Sequence, residues 1–207
     1  AMAHDFSLRA ARIDLMELTE LQEQADQAVA AWKAREDQRG LLAVVGDRGH
    51  GKGRWAQAWA EPLASDGMNL VRLSPPSRIW STEQLLHWLA ESLGAQPKME
   101  AISERIGAMP PSIFVVQQLE RTFVRKVGGF GALRTLLELA AAHDERHLWV
   151  FTVHAPAWRY LARLRRVLNP DAFLATLHLP RRTGSSLRKA MEGAATELGL
   201  TLDCSSL

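Results

Sequence analysis

Gly46, Gly49, Gly51 and Gly53, with Lys52 among them, crowd the segment that follows the apolar run at residues 41–45. The order is G-x-x-x-x-G-K-G. Between a strand and a helix, such a loop suits one kind of chemistry. Successive backbone N–H groups converge on a concave nest, and the helix start adds the positive end of its dipole. A lysine at this place reaches anionic oxygens as a point charge. Glycine is needed where a side chain would block close approach or where φ is positive. The matching ligand is the phosphate chain of a nucleotide. Candidate binding residues are therefore Gly46, Gly49, His50, Gly51, Lys52, Gly53 and Arg54. His50 is expected to face solvent, and Arg54 to add positive charge at the phosphate. The competing reading is an inherited loop that no longer binds.

The residue after the lysine normally carries a hydroxyl that holds magnesium. Here it is Gly53, so direct magnesium binding is not expected. The run "IFVVQQLE" poses a second test. An ATPase built on such a loop ends this strand with an aspartate for the metal-bound water and a glutamate that polarises the attacking water. Gln117 and Gln118 stand there instead. A carboxamide keeps the shape of a carboxylate but carries no charge and is a very poor base. Glu120 is a weak catalytic candidate, and its place suits an acid that meets the start of a helix dipole. ATP hydrolysis is therefore expected at background rate.

The elements that must position these residues alternate. Residues 8–35 read as a helix, with Leu15, Leu18, Leu21, Ala25, Ala28, Val29 and Trp32 at three- and four-residue steps. A strand at 41–45 leads to the glycine loop, and a helix follows until Pro62. "MNLVRL" is a second strand, stopped by Pro75 and Pro76. Ser81 and Gln84 have capping-box spacing for a helix that ends at Gly94. "IFVV" is the third strand, residues 131–142 a helix, "LWVFTVH" the fourth strand ended by Pro156, and 158–168 a helix. "FLATLHL" is the fifth strand, and 185–198 a last helix. Strands too apolar to face water, alternating with helices, indicate a three-layer α/β fold: a parallel sheet of about five strands with helices on both faces.

Length and composition agree with that architecture. The chain has 207 residues, of which 47% are hydrophobic and 23% charged, enough for a real core. No apolar run approaches the roughly 20 residues of a membrane-spanning helix, and one cysteine, Cys204, excludes an internal disulfide framework. A cytoplasmic location is expected. The net charge of +2 is unevenly spread, with Arg159, Arg163, Arg165, Arg166, Arg181, Arg182, Arg188 and Lys189 facing only Asp171 between residues 154 and 189. Such a face suits nucleic acid, anionic lipid, an acidic subunit or plain solvent. Trp55 and Trp59, one turn apart after the loop, are expected in the core rather than against a base. Residues 1–3 have the look of a cloning remnant. The chain's end soon after the last helix suggests a piece of a longer protein.

The series "VVGDRGHGKG", "IFVVQQLE", "LWVFTVHAP" and "LPRRTGSSLRKAM" resembles the Walker A, Walker B, sensor 1 and lid-entry segments of AAA+ and STAND-like P-loop ATPases. The resemblance runs over nearly the whole chain, in the right order. It implies a P-loop core over residues 1–180 and the start of a helical lid over 181–207. It places the degenerate Walker B at Gln117 and Gln118, and Thr152 or His154 where sensor 1 reads the γ-phosphate. Arg165 and Arg166 fall where such families carry an arginine finger that enters a neighbour's site, and Arg188 where a lid arginine would lie. ATP or ADP, weakly held, is the implied cofactor. The implied partners are other domains of a longer chain, or a homo- or hetero-oligomer joined through the arginine-rich face.

Three functions follow. The first is a degenerate module, regulatory or scaffolding, that binds nucleotide weakly or not at all. The second is a slow ATPase using Glu120 or a partner's acid. The third is a nucleic-acid-binding module that uses the arginine-rich face, for which salt-sensitive binding would be the mark.

Overall fold

The computed structural model describes residues 2–35 and 39–180, with side chains from residue 18 onward. The expected last helix and lid start, Arg181, Arg182, Arg188, Lys189 and Cys204 all lie outside the described residues.

Three strands are buried along almost their whole length: β1 (Leu41–Gly46), β3 (Ser112–Val116) and β4 (Leu148–His154). Residues of this kind, β-branched, aromatic or leucine on both faces, cannot form an edge without exposing apolar surface. They occupy the middle of the sheet, and the half-exposed β2 (Asn69–Leu73) and β5 (Ala175–His178) take its edges. The order is β2-β3-β4-β1-β5, and every pairing is parallel. The sheet is open.

Alternation along each strand divides the core in two. Leu42, Val44, Ile113, Val115 and Val150 face α1 (Met2–Lys33) and α2 (Lys52–Ser65). Ala43, Val45, Phe114, Phe151 and Val153 face the other four helices, α3 (Thr82–Leu93), α4 (Met99–Gly107), α5 (Gly131–Ala141) and α6 (Ala155–Arg163). The three-layer expectation therefore holds. Phe114 and Trp149 stack with centroids 4.2 Å apart, and each is fully buried. A buried aromatic of this size contributes roughly 1.5–3 kcal/mol over an exposed one.

On α1, Leu21, Ala25, Val29 and Trp32 form the buried stripe, and the Trp32 indole donates to Asp144 O at 2.8 Å. For α3, Ser81 Oγ accepts from Gln84 N at 3.2 Å, and Gly94 closes the helix in the left-handed conformation. The Gln84 side chain reaches Trp80 N, one residue outside the expected capping box.

Three boundaries differ from the sequence expectation. Pro62 lies inside α2 rather than ending it. Ala58, whose carbonyl loses its intrahelical donor, and Pro62 are both exposed near the last turn, where the freed carbonyl is accessible to solvent. Pro156 sits in the first turn of α6, where its lost N–H has no intrahelical partner, so the helix starts at Ala155 and stops at Arg163. The short α4, with only Ile102 and Ile106 buried, has no counterpart in the expected elements.

Adjacent strands β1 and β4 send their following helices, α2 and α6, to opposite faces. Their connections diverge at the carboxyl edge and open a crevice, the place where open α/β sheets bind ligands. Among the described residues no helix is long and apolar enough to cross a membrane.

Candidate functional site

The glycine loop lies in that crevice. Gly46 ends β1 and is in register with His154 at the end of β4. Gly49 and Gly51 have φ of 81° and 73°, left-handed values that residues with a Cβ adopt only under strain. Gly51 is also the N-cap of α2, and its carbonyl accepts from Trp55 N at 2.9 Å. The loop thus turns straight into a helix whose first N–H groups point back at the crevice. Lys52 folds over this loop, and its Nζ donates to Asp47 O at 3.0 Å. Burial lowers the Lys52 ammonium from its usual pKa, while the Glu120 and Asp47 carboxylates act to raise it. A cation is therefore held at the mouth of a backbone nest.

His50 is half-buried rather than solvent-facing. Its Nδ1 is buried without a hydrogen-bond partner among the described residues. Arg54 is exposed on the first turn of α2.

From the end of β3, Gln117 extends the β2 pairing by one bond to Leu73 O and lays its side chain against Gly53. Gln118 follows at φ 56°, one of two non-glycine residues at positive φ in the described chain. Its N–H donates to Thr152 Oγ1 at 3.0 Å. Thr152 is 2% exposed, so the first sensor candidate is committed to holding the turn after β3. The second, His154, donates its backbone N–H to Glu120 Oε2 at 3.1 Å. Glu120 stands in the 3-10 turn Leu119–Thr122, as a helix-start acid would, yet its carboxylate is directed at the end of β4 and is felt by Lys52. The structure thus brings Gly46, Gly51, Lys52, Gly53, Gln117, Glu120 and His154 to one crevice.

Other candidates stand elsewhere. Arg165 and Arg166 are exposed in the turn after α6, where Arg165 meets Asp171 at 3.8 Å in an open surface pair of little energetic weight. Trp55 and Trp59 stack at 5.9 Å with parallel planes and line a cavity of about 470 Å³ between α1 and α2. Trp59 also donates to Asp26 Oδ1 at 2.8 Å. None of that cavity's lining residues belongs to the loop, in keeping with a packing role.

Sequence reasoning missed a smaller cavity of about 240 Å³ beside the loop. Gly46, Asp47, Trp158, Arg159, His178 and Leu179 line it where β1, β5 and α6 meet. The ends of β1, β4 and β5 could have been aligned from their apolar runs, but the place of the exposed Arg159 at the cavity's rim has no sequence signal. The left-handed Gln118 has none either, because glutamine is not a residue that favours that region.

No protein-family model and no curated protein matches the sequence. Solved structures do share its fold. PCH-2 of C. elegans superposes with a TM-score of 0.55 at 14% identity, over 94% of this chain and 50% of that one. Cdc6p from Pyrobaculum aerophilum gives 0.58 at 14% identity, over 86% and 49%. A Walker-type ATPase of Pyrococcus abyssi gives 0.53 at 11% identity, over 89% and 59%. The chain spans about half the length of the structures it matches. Its fold is that of an AAA+ P-loop ATPase domain.

Proposed function

We propose that this domain is a degenerate P-loop module, STAND-like in character, that holds ADP or ATP weakly and does not hydrolyse it. In this reading it regulates or scaffolds a longer protein by its nucleotide state. One observation carries the reading. Lys52 and the left-handed Gly49 and Gly51 form a phosphate cradle at the crevice, while the end of β3, one strand away, carries the carboxamides of Gln117 and Gln118. The unpartnered His50 Nδ1 adds a group that a bound anion or its water would satisfy. The cavity beside Gly46 has the size of a nucleobase rather than of a larger ligand. Partners are other domains of the parent chain or neighbouring subunits, reached through the surface that carries Arg165 and Arg166.

Titration calorimetry with ADP tests the binding half. Binding in the micromolar-to-millimolar range that Lys52→Ala removes supports the cradle. Binding that is indifferent to Lys52→Ala sinks it.

Glu120 favours a second reading, a slow ATPase, because its carboxylate lies near Lys52 and the end of β4. One of its oxygens, Oε2, already accepts the His154 N–H at 3.1 Å and is directed at the end of β4. Turnover that disappears in Glu120→Gln would establish the slow enzyme.

A further inference from the structure

P-loop NTPases hold magnesium through the hydroxyl after the loop lysine and a Walker B aspartate, the position that Gln117 takes here. The residues here do not fit that ion. Gly53 has no side chain, Gln117 has no charge, and a Cβ placed on residue 53 would lie 3.1 Å from Gln117 Cδ and Nε2 and 3.2 Å from Oε1. Three amide atoms at nearly one distance mean that the carboxamide turns its flat face to the position a Cβ of residue 53 would take, which leaves its in-plane N–H groups directed elsewhere. The two positions are complementary: the missing side chain at 53 makes room for the long one at 117. Among the described residues no group of three or more His, Cys, Asp or Glu is placed to hold a metal ion.

We propose that Gln117 replaces the magnesium corner of this site, so that the loop takes its nucleoside phosphate free of metal. The inference rests on the phosphate-binding reading above and concerns how that site works. An amide Nε2 has two N–H donors and needs no partner of opposite charge. Placed over Gly53, at the start of α2, it donates to a phosphate oxygen from the side that a hydrated cation would otherwise occupy. Lys52 and the backbone nest supply the positive potential. A magnesium–nucleotide complex brings the ion and its waters into the volume that Gln117 fills. Added magnesium therefore competes for the ligand instead of joining the site.

The test is calorimetric titration of the 207-residue chain with ADP, ATP and inorganic pyrophosphate, each in EDTA and in excess magnesium chloride. The expected result is that affinity is unchanged or weaker in magnesium for all three. Gln117→Ala should weaken metal-free binding by about three- to tenfold, the scale of one lost hydrogen bond. Gly53→Ser should give a similar loss by pushing the amide aside, and it serves as the second variant if Gln117→Ala folds poorly. The pair Gly53→Thr with Gln117→Asp should reverse the sign, so that magnesium tightens ATP binding. Wild-type binding that is abolished by Lys52→Ala yet tightened tenfold or more by magnesium overturns this inference and leaves the cradle standing. Absence of any binding at millimolar ligand overturns both. A folded double variant that shows no magnesium dependence shows that positions 53 and 117 do not share a phosphate, which also refutes the replacement.

Discussion

At the end of β1 an anion would be held by main chain, and at the end of β3 it would be met by side chains. Both ends lie on one edge of one sheet, a strand apart, yet they differ in what has been kept. The β1 loop retains its glycines at positive φ, its turn into α2 and its overlying lysine. The β3 end retains the trace of the chain but presents Gln117 and Gln118, with Glu120 turned to His154. Backbone geometry belongs to the fold, since Gly46 pairs with His154 and Gly51 starts a helix packed on the sheet. Acid chemistry belongs to two side chains just past the strand, which the backbone pairing of β3 does not specify. On the proposed reading, binding geometry has outlasted catalytic chemistry on this scaffold.

The comparison is broken most directly at Lys52. Lys52→Ala should lower ADP affinity by about thirty- to a hundredfold, since it removes a charge-assisted contact from the cation that folds over the loop. Calorimetry reads this, and an unchanged Kd would mean that the β1 loop is no better preserved than the β3 end.

A region that belongs to neither end supplies the control. His147 is fully buried beside Phe114, with Nε2–H donating to Ile106 O at 3.1 Å and Nδ1 without a partner among the described residues. Burial holds its pKa down to about 4. The unfolded chain takes up this proton near pH 6.5 and the folded chain only near 4, so stability falls as pH drops through that window and levels below it. The loss should be at most about 3 kcal/mol. Denaturant melts between pH 7 and 4 read it, and His147→Leu should flatten that part of the profile.

Thr152→Val separates the two ends by stability. It deprives the Gln118 N–H of its acceptor at a left-handed position and should cost about 1–3 kcal/mol by melting. ADP affinity should change little, because the β1 cradle does not use that bond. A large fall in affinity would show that the two ends act as one.

The smallest effect is expected at Glu120. Glu120→Gln removes a carboxylate that competes with phosphate for Lys52, so binding should tighten by about two- to threefold. Weaker binding would give Glu120 a positive part in holding the ligand.

The fold was largely legible because its middle strands are buried on both faces and so read as uninterrupted apolar runs. Ser81 and Gly94 marked α3 to the residue. Legibility failed where one residue type supports two structures. Pro62 and Pro156 read as stops, but proline is also tolerated in a first turn and near an exposed helix end. The loop was legible from glycine spacing, because only glycine adopts φ near 80° without strain. The contact of Gln117 with Gly53 was not, since it joins residues more than sixty positions apart in sequence through a side-chain conformation. The half-buried place of His50 left no trace either, since the type of a loop residue does not fix how far its side chain is covered.

The claim that binding has outlived hydrolysis is tested most directly by single-turnover kinetics. With protein in excess over ATP labelled in its γ-phosphate, and magnesium present, labelled phosphate should appear no faster than in buffer, even under conditions where calorimetry shows the nucleotide bound. Release above the buffer rate that Lys52→Ala abolishes would contradict the account, because an active acid would then stand at the end of β3 after all.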